Sequence, residues 1–242
     1  MKKNPVIVPL DSKDEDQARK LVDQLGESIT FYKVGSVLFT RSGKEIIAFL
    51  KAEKKKIFLD LKFHDIPNTV KGACYQGAVS GADMLTIHLS GGRQMIKAAL
   101  QGVYLAAADF PEREINTAVL GVSVLTSIDQ TMFTHELRIT GKIGEHVAHL
   151  VKTGMECGMS GIVCSPHETA AARRRHGSDL IIVNPGIRMP EDDPGDQKRV
   201  TTPAQAMASG ADFLVIGRSI TSASDPRAKA EKILASIRDY TG

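Results

Sequence analysis

The sequence has no tryptophan, and aromatic residues make up only 5% of its 242 residues. Its two basic clusters, 54–56 and 173–175, contain no interleaved aromatic residue, and the formal net charge is only +3. Nucleic-acid surfaces combine a strongly basic stripe with stacking side chains, so this pattern favours solvated helix surfaces. The sequence also lacks an apolar stretch long enough to cross a bilayer. We therefore expect no nucleic-acid partner and no membrane association.

Cysteine is scarce as well. The three cysteines, Cys74, Cys157 and Cys164, are odd in number and include no Cys-x-x-Cys spacing. A disulfide framework in a small secreted domain uses an even set of closely spaced cysteines. No secretory signal peptide is recognisable. These absences predict a cytoplasmic protein with reduced thiols.

The sequence does contain a regular alternation of short apolar runs and longer amphipathic stretches. Between the apolar runs, apolar residues recur with the helical spacing i, i+3, i+4, i+7, as from Ala18 to Leu25. Such alternation predicts parallel strands joined by helical crossovers. Eight units in this length predict an α/β fold, a (β/α)8 TIM barrel forming a single domain over residues 1–242. The predicted strands are Val6–Leu10, Phe31–Val34, Ile57–Leu61, Met84–His88, Ala118–Leu125, Gly161–Cys164, Leu180–Val183 and Phe213–Ile216.

An open doubly wound sheet is the main structural alternative. It usually carries a Gly-rich turn after its first strand, and this sequence has none there. The residue types at the strand ends also support the barrel, because barrel active sites lie at the carboxyl ends of the strands. Polar residues or glycines stand at every predicted end: Asp11, Lys33, Asp60 with Lys62, His88, Thr126, Ser165, Gly186, and Gly217 with Arg218.

The third strand and its loop carry the most suggestive charges. Asp60 and Lys62 are two residues apart, which places them on one face of a regular strand, and Asp65 comes three residues later. Carboxylates beside a lysine favour its protonated form, so the group could deliver a proton where negative charge develops. A strand-end salt bridge is the alternative for an isolated Asp-x-Lys pair. The polar residues at the other strand ends favour catalysis.

The last two strand ends indicate a phosphate site. Barrels often bind phosphate in the loops after strands 7 and 8. Gly217 allows close backbone approach, and Arg218 can make a bidentate contact. The segment 186–197 is rich in Gly, Pro and Asp and is typical of a mobile lid, although an ordinary surface loop has the same composition. Arg188 and Gln197, near its two ends, could close on a phosphate.

Over nearly its whole length the chain resembles the bacterial orotidine 5'-phosphate decarboxylases. The block from Asp60 to Thr69 is the most specific match, because related sugar-phosphate barrels share Asp-x-Lys-x-x-Asp without the adjoining Ile-Pro-Asn-Thr. The other matching motifs are Leu10-Asp11, Lys33-Val34-Gly35, His88 with Ser90-Gly91-Gly92, Val124-Leu125-Thr126-Ser127, Pro185-Gly186-Ile187-Arg188, Gly195-Asp196-Gln197 and Ile216-Gly217-Arg218.

The resemblance implies decarboxylation of orotidine 5'-phosphate to uridine 5'-phosphate, with no metal and no organic cofactor. Lys62 would protonate C6 of the pyrimidine, and Asp60 would lie against the departing carboxylate. Lys33 would contact Asp60 and the ribose. The remaining substrate contacts implied are Asp11 to ribose hydroxyls, Thr126 to the pyrimidine edge, Thr69 to the substrate, and Arg188, Gln197, Gly217 and Arg218 to the phosphate.

The resemblance also implies a homodimer in which Asp65 reaches into the neighbouring subunit's site. Two alternatives stay open from the residues themselves. One is a metal-dependent sugar-phosphate decarboxylase or aldolase on the same barrel. The other is a non-catalytic nucleotide-binding barrel, which would have no need of a lysine aimed at the reacting carbon.

Overall fold

The computed structural model describes residues 4–12, 14–192 and 201–240. Its eight parallel strands pair in chain order and close into a barrel, with β1 beside both β2 and β8. The strands are β1 Val6–Pro9, β2 Phe31–Gly35, β3 Lys56–Phe63, β4 Met84–His88, β5 Ala118–Val122, β6 Gly161–Val163, β7 Ile181–Asn184 and β8 Phe213–Val215. The helices include α1 Glu15–Leu25, α2 Ser36–Ala52, α3 Pro67–Val79, α4 Gly92–Asp109, α5 Ile143–Glu156, α6 Pro166–His176, α7 Pro203–Ala208, α8 Arg218–Thr221 and α9 Pro226–Ser236. The predicted (β/α)8 TIM barrel is confirmed.

All eight predicted strands are present, and two of them differ from the predicted bounds by more than one residue at an end. Strand β5 ends at Val122 rather than Leu125, and β3 continues past Leu61 to Phe63. The extension of β3 is irregular, because the pairing register with β4 shifts between Leu59 and Phe63. This irregularity lies beside the predicted catalytic residues.

Two apolar layers hold the barrel together. Side chains alternate between the two faces of a strand, so each strand contributes to the interior and to the helix-facing layer. The helix-facing layer includes the stripe of α1, in which Ala18, Val22 and Leu25 are buried. Inside the barrel, Phe31 and Phe213 meet edge to face with ring centroids 5.6 Å apart. The interior cluster is Ile7, Phe31, Phe58, Met84, Leu120, Val183, Phe213 and Val215.

The cysteines are unpaired, and burial raises the pKa of the Cys74 and Cys164 thiols to about 12. Both thiols are therefore neutral and weakly nucleophilic at pH 7. Within the residues that the structure describes, no helix combines the length and the apolar character that crossing a membrane requires.

Candidate active site

Four charged side chains of alternating sign form a row across the ends of β1, β2 and β3. Lys33 Nζ lies 3.0 Å from Asp11 Oδ1 and 3.6 Å from Asp60 Oδ2. Lys62 Nζ donates to both carboxylate oxygens of Asp60 at 2.9 Å. The Asp60 and Lys33 side chains are 10% and 12% exposed, whereas that of Lys62 is 35% exposed. The inner pair is therefore shielded from solvent, and the Lys62 ammonium remains accessible to a ligand.

Lys62 does not have the conformation of a regular strand residue. Its φ is +51°, in the left-handed region that residues with a Cβ rarely occupy. The side chains of Asp60 and Lys62 meet as expected, although the backbone of Lys62 departs from regular strand geometry. Such backbone conformations cost about 1–3 kcal/mol and concentrate at functional sites.

Thr86, on β4, is a site residue that the sequence analysis missed. It is fully buried, its Oγ1 donates to Asp60 Oδ1 at 3.0 Å, and it accepts the Lys62 N–H at 2.9 Å. The available signal was its position two residues before His88, which places both on the inner face of β4.

Two histidines lie beside the charged row. The rings of His64 and His88 have centroids 5.3 Å apart. Burial lowers the pKa of His88, and electrostatic interactions with His64 and Lys62 lower it further against the opposing effect of Asp60. The lowered pKa favours the neutral form of His88 at pH 7, so His88 adds no positive charge beside Lys62.

A cavity of about 720 Å³ opens beside the row and extends to the ends of β7 and β8. Its volume lies within the range of small-molecule sites. Arg188, 6% exposed, lines this cavity together with Gly217 and Arg218. Three of the residues predicted for phosphate thus line one continuous space with Asp11 and Lys33, the first two members of the charged row. Lys33 connects this space to Asp60, at 3.6 Å.

Ion pairs with α9 fix the chain just after Arg188. Lys229 Nζ lies 2.8 Å from Asp192 Oδ1 and 3.1 Å from Glu191 Oε1, and Lys232 Nζ lies 2.8 Å from the same Glu191 atom. Asp192 also accepts the N–H of Met189 at 3.0 Å. These contacts close a turn that holds Arg188 against the cavity.

Gly35 explains why the second strand can end so close to the charged row. A Cβ at this position would lie 2.9 Å from Lys33 Nζ and 3.2 Å from Asp11 Oδ1. A side chain at this position would therefore require the Lys33 ammonium to shift.

The remaining predicted residues lie at different distances from the row. Thr126 lines a smaller adjoining cavity of about 230 Å³ beside Pro185. Asp65 and Thr69 are exposed around the start of α3, and Asp65 Oδ1 accepts the N–H of Ile66 at 2.6 Å. Within the described residues, Asp65 makes no ion pair with the row of its own chain. Gln197 lies outside the described residues.

The chain is similar to known proteins over nearly its whole length. A Nostoc protein named orotidine 5'-phosphate decarboxylase is 45% identical over 233 residues, covering 96% of this chain and 97% of its own. A Nitrosococcus oceani protein of the same name is 43% identical over 237 residues, covering 98% and 99%. The crystal structure of orotidine 5'-phosphate decarboxylase from Lactobacillus acidophilus superposes with a TM-score of 0.86 at 37% identity, covering 97% of this chain and 99% of that one. The model of the orotidine 5'-phosphate decarboxylase / HUMPS family matches residues 4–233, and the chain belongs to this family.

Proposed function

We propose that the protein converts orotidine 5'-phosphate to uridine 5'-phosphate and carbon dioxide in pyrimidine biosynthesis, without a metal or organic cofactor. The observation that carries the proposal is the Lys62 ammonium held on both oxygens of Asp60 at 2.9 Å. The same charged row continues through Lys33 to a cavity that Arg188 and Arg218 also line. A phosphate at the arginines would direct the pyrimidine towards the row. The full-length relatives that carry the decarboxylase name support the same reaction.

The proposed chemistry needs one bond cleavage and one proton transfer. The bond from C6 to the carboxylate breaks, its electron pair stays on C6, and carbon dioxide leaves. Lys62 Nζ then gives a proton to C6 and recovers one from solvent. An ammonium group placed where the carbanion develops stabilises it electrostatically, most strongly in a site with little water.

Asp60 and Lys33 have supporting roles in this proposal. The Asp60 carboxylate holds the Lys62 ammonium and lies beside the position of the departing carboxylate, where like-charge repulsion is relieved as carbon dioxide leaves. Lys33 lies between Asp60 and Asp11. From there it can bond ribose hydroxyls together with Asp11, while Thr126 reads the pyrimidine edge.

Mixing purified protein with orotidine 5'-phosphate is expected to remove the orotate absorbance band at the same rate with and without a chelator. The reason is that the proposed proton donor and electrostatic stabiliser belong to the chain itself. The measurement is an ultraviolet progress curve for each sample. A reaction that stops with chelator would instead favour the metal-dependent sugar-phosphate decarboxylase or aldolase.

Two observations bear on the alternatives. Among the described residues, no three or more His, Cys, Asp or Glu side chains are grouped so as to hold a metal ion, and the chelator sample tests the metal-dependent alternative directly. A non-catalytic nucleotide-binding barrel would bind uridine 5'-phosphate without turning over the substrate. Such a binding barrel would not require the strained backbone conformation of Lys62.

We also propose that the protein is a homodimer in which Asp65 completes the neighbouring subunit's site. Asp65 is exposed in its own chain, and the adjacent Ile66 side chain is 68% exposed. This exposed position leaves Asp65 accessible to a second subunit.

Hybrid dimers test this proposal. We expect Lys62→Ala and Asp65→Ala subunits to be inactive separately and, after mixed refolding, to recover about one quarter of wild-type activity, because half the dimers of a two-fold assembly are hybrids with one intact site. Activity is measured against the two unmixed variants, each refolded alone. If Asp65 served its own subunit, every site in the mixture would carry a defect and no activity would return.

A further inference from the structure

We infer that Thr86 is a positioning residue for the decarboxylation, acting through hydrogen bonds to both Asp60 and the backbone of Lys62. The inference rests on the proposed function for its catalytic consequence. Its structural basis does not depend on that function. Among the hydrogen bonds of the described residues, the Thr86 hydroxyl is the one group that contacts both the carboxylate of Asp60 and the main chain of Lys62.

The direction of these bonds is fixed by the chemistry of the groups. A hydroxyl has one proton to donate, and a backbone N–H can only donate. The Lys62 N–H therefore occupies the acceptor side of Thr86 Oγ1 at 2.9 Å, and the hydroxyl proton must point to Asp60 Oδ1 at 3.0 Å. Asp60 Oδ1 then receives both Thr86 and Lys62 Nζ.

The Thr86 hydroxyl also compensates for the irregular end of β3. The register of β3 with β4 shifts between Leu59 and Phe63, and Lys62 lies within that shift with a φ of +51°. In this conformation its N–H is directed to a side chain of β4. A buried N–H left without an acceptor is costly, so Thr86 stabilises the conformation that aims the Lys62 side chain at Asp60.

Loss of this hydroxyl should therefore reduce the rate of the chemical step more than it reduces substrate binding. Asp60 and Lys62 would keep their charges but lose a shared support that is fully buried. A displacement of about 1 Å in a reacting group can cost about 10²-fold in rate. Phosphate binding by Arg188 and Arg218, which follow β7 and β8, would be unaffected.

The experiment compares Thr86→Val, which replaces the hydroxyl with a methyl, and Thr86→Ser, which keeps it. Thr117→Val is the matched control, because Thr117 Oγ1 donates to Ala82 O at 2.7 Å in a buried position preceding β5, at the opposite end of the barrel. For each folded protein we would measure kcat, KM and the dissociation constant of uridine 5'-phosphate. Hydrogen exchange of the Lys62 amide, followed by NMR, provides a readout independent of activity.

We expect Thr86→Val to lower kcat by about 10²-fold with KM changed less than about threefold. We expect Thr86→Ser to stay within about threefold of wild type and Thr117→Val to keep full activity. The Lys62 amide should exchange at least about tenfold faster in Thr86→Val than in wild type. If the valine variant does not fold, Thr86→Ala takes its place with the same expectations.

Wild-type kcat in Thr86→Val, or an equal loss in Thr86→Ser, would overturn the inference. A Lys62 amide in the wild-type protein that exchanges as fast as an exposed one would overturn it as well. Failure of the proposed function gives a different result, because the wild-type protein itself would then fail to decarboxylate orotidine 5'-phosphate while the Lys62 amide remained protected.

Discussion

Replacing Lys62 with alanine is expected to lower kcat for orotidine 5'-phosphate by about 10⁴-fold or more, because a proton donor and an electrostatic stabiliser are lost together. The dissociation constant of uridine 5'-phosphate should change less than about tenfold, since the proposed phosphate contacts come from Arg188 and Arg218, which follow β7 and β8. Single-turnover absorbance measures the chemical step, and calorimetric titration measures binding. An alanine variant with wild-type turnover would contradict the role of Lys62 as proton donor.

A glycine variant extends this prediction to stability. Lys62→Gly should be as inactive as Lys62→Ala but more stable by about 1 kcal/mol, because φ near +51° strains a residue with a Cβ and suits glycine. The free energy of unfolding of the two variants is compared by urea titration. Both variants lose the same ion pair, so the difference between them isolates the backbone.

The same two substitutions at Lys152 provide the control. Lys152 lies within α5, and its side chain is 67% exposed. In a helix, glycine is less favourable than alanine by about 1 kcal/mol, so the order of stability should reverse. The activity of both Lys152 variants should equal that of wild type. A glycine variant at position 62 that is no more stable than the alanine variant would mean that Lys62 is unstrained in solution.

The sequence was sufficient to predict the barrel because the information lies in short-range patterns. Period-2 and period-3.6 repeats depend on neighbouring residues, and eight alternations leave few topologies. The positive φ of Gly26, Gly81, Gly158 and Gly210 at helix ends has the same local origin. The charged residues at the barrel mouth could be predicted for a similar reason, since Asp11, Lys33 and Asp60 are all located by the positions where strands end.

The conformation of Lys62 and the role of Thr86 could not be predicted in this way. The left-handed backbone of Lys62 arises where β3 and β4 change register, which depends on residues 24 or more positions apart in sequence. Threonine is a common strand residue, so Thr86 gives no signal on its own. Its hydroxyl acquires a role when β4 lies beside the irregular end of β3.

For Asp65, the sequence suggests a closer relation to Lys62 than the structure of one chain shows. It stands three residues from Lys62, and sequence proximity alone would place both in one site. The structure instead leaves Asp65 exposed near the start of α3, bonded to the N–H of the next residue. A site shared between subunits cannot be derived from spacing within one chain, so the assignment of Asp65 depends on the hybrid-dimer experiment.

Replacing Arg218 with alanine is expected to lower kcat/KM for orotidine 5'-phosphate by about 10²- to 10³-fold, roughly 3–4 kcal/mol, through loss of a charge-assisted phosphate contact. Part of the loss should appear in kcat, because binding energy gathered at the phosphate can be used at the reacting carbon. The effect is measured by steady-state kinetics of Arg218→Ala and Arg218→Lys. The control is Arg227→Ala, because Arg227 lies on α9, where it pairs with Glu231. Lysine should restore the activity only in part, since it lacks the bidentate geometry of arginine.

Orotidine, which lacks the phosphate, separates a phosphate contact from a general disturbance of the site. Wild type and Arg218→Ala should decarboxylate orotidine with the same kcat/KM, because the group that Arg218 contacts is absent from both reactions. An equal loss for orotidine and for orotidine 5'-phosphate would mean that Arg218 supports the barrel mouth in some other way. Unchanged kinetics with both substrates would remove Arg218 from the site.

The two substrates and the two proteins form a thermodynamic cycle, and the interaction energy of this cycle measures the contact between the arginine and the phosphate. That energy is what connects a binding site at the ends of β7 and β8 to the chemistry on β3.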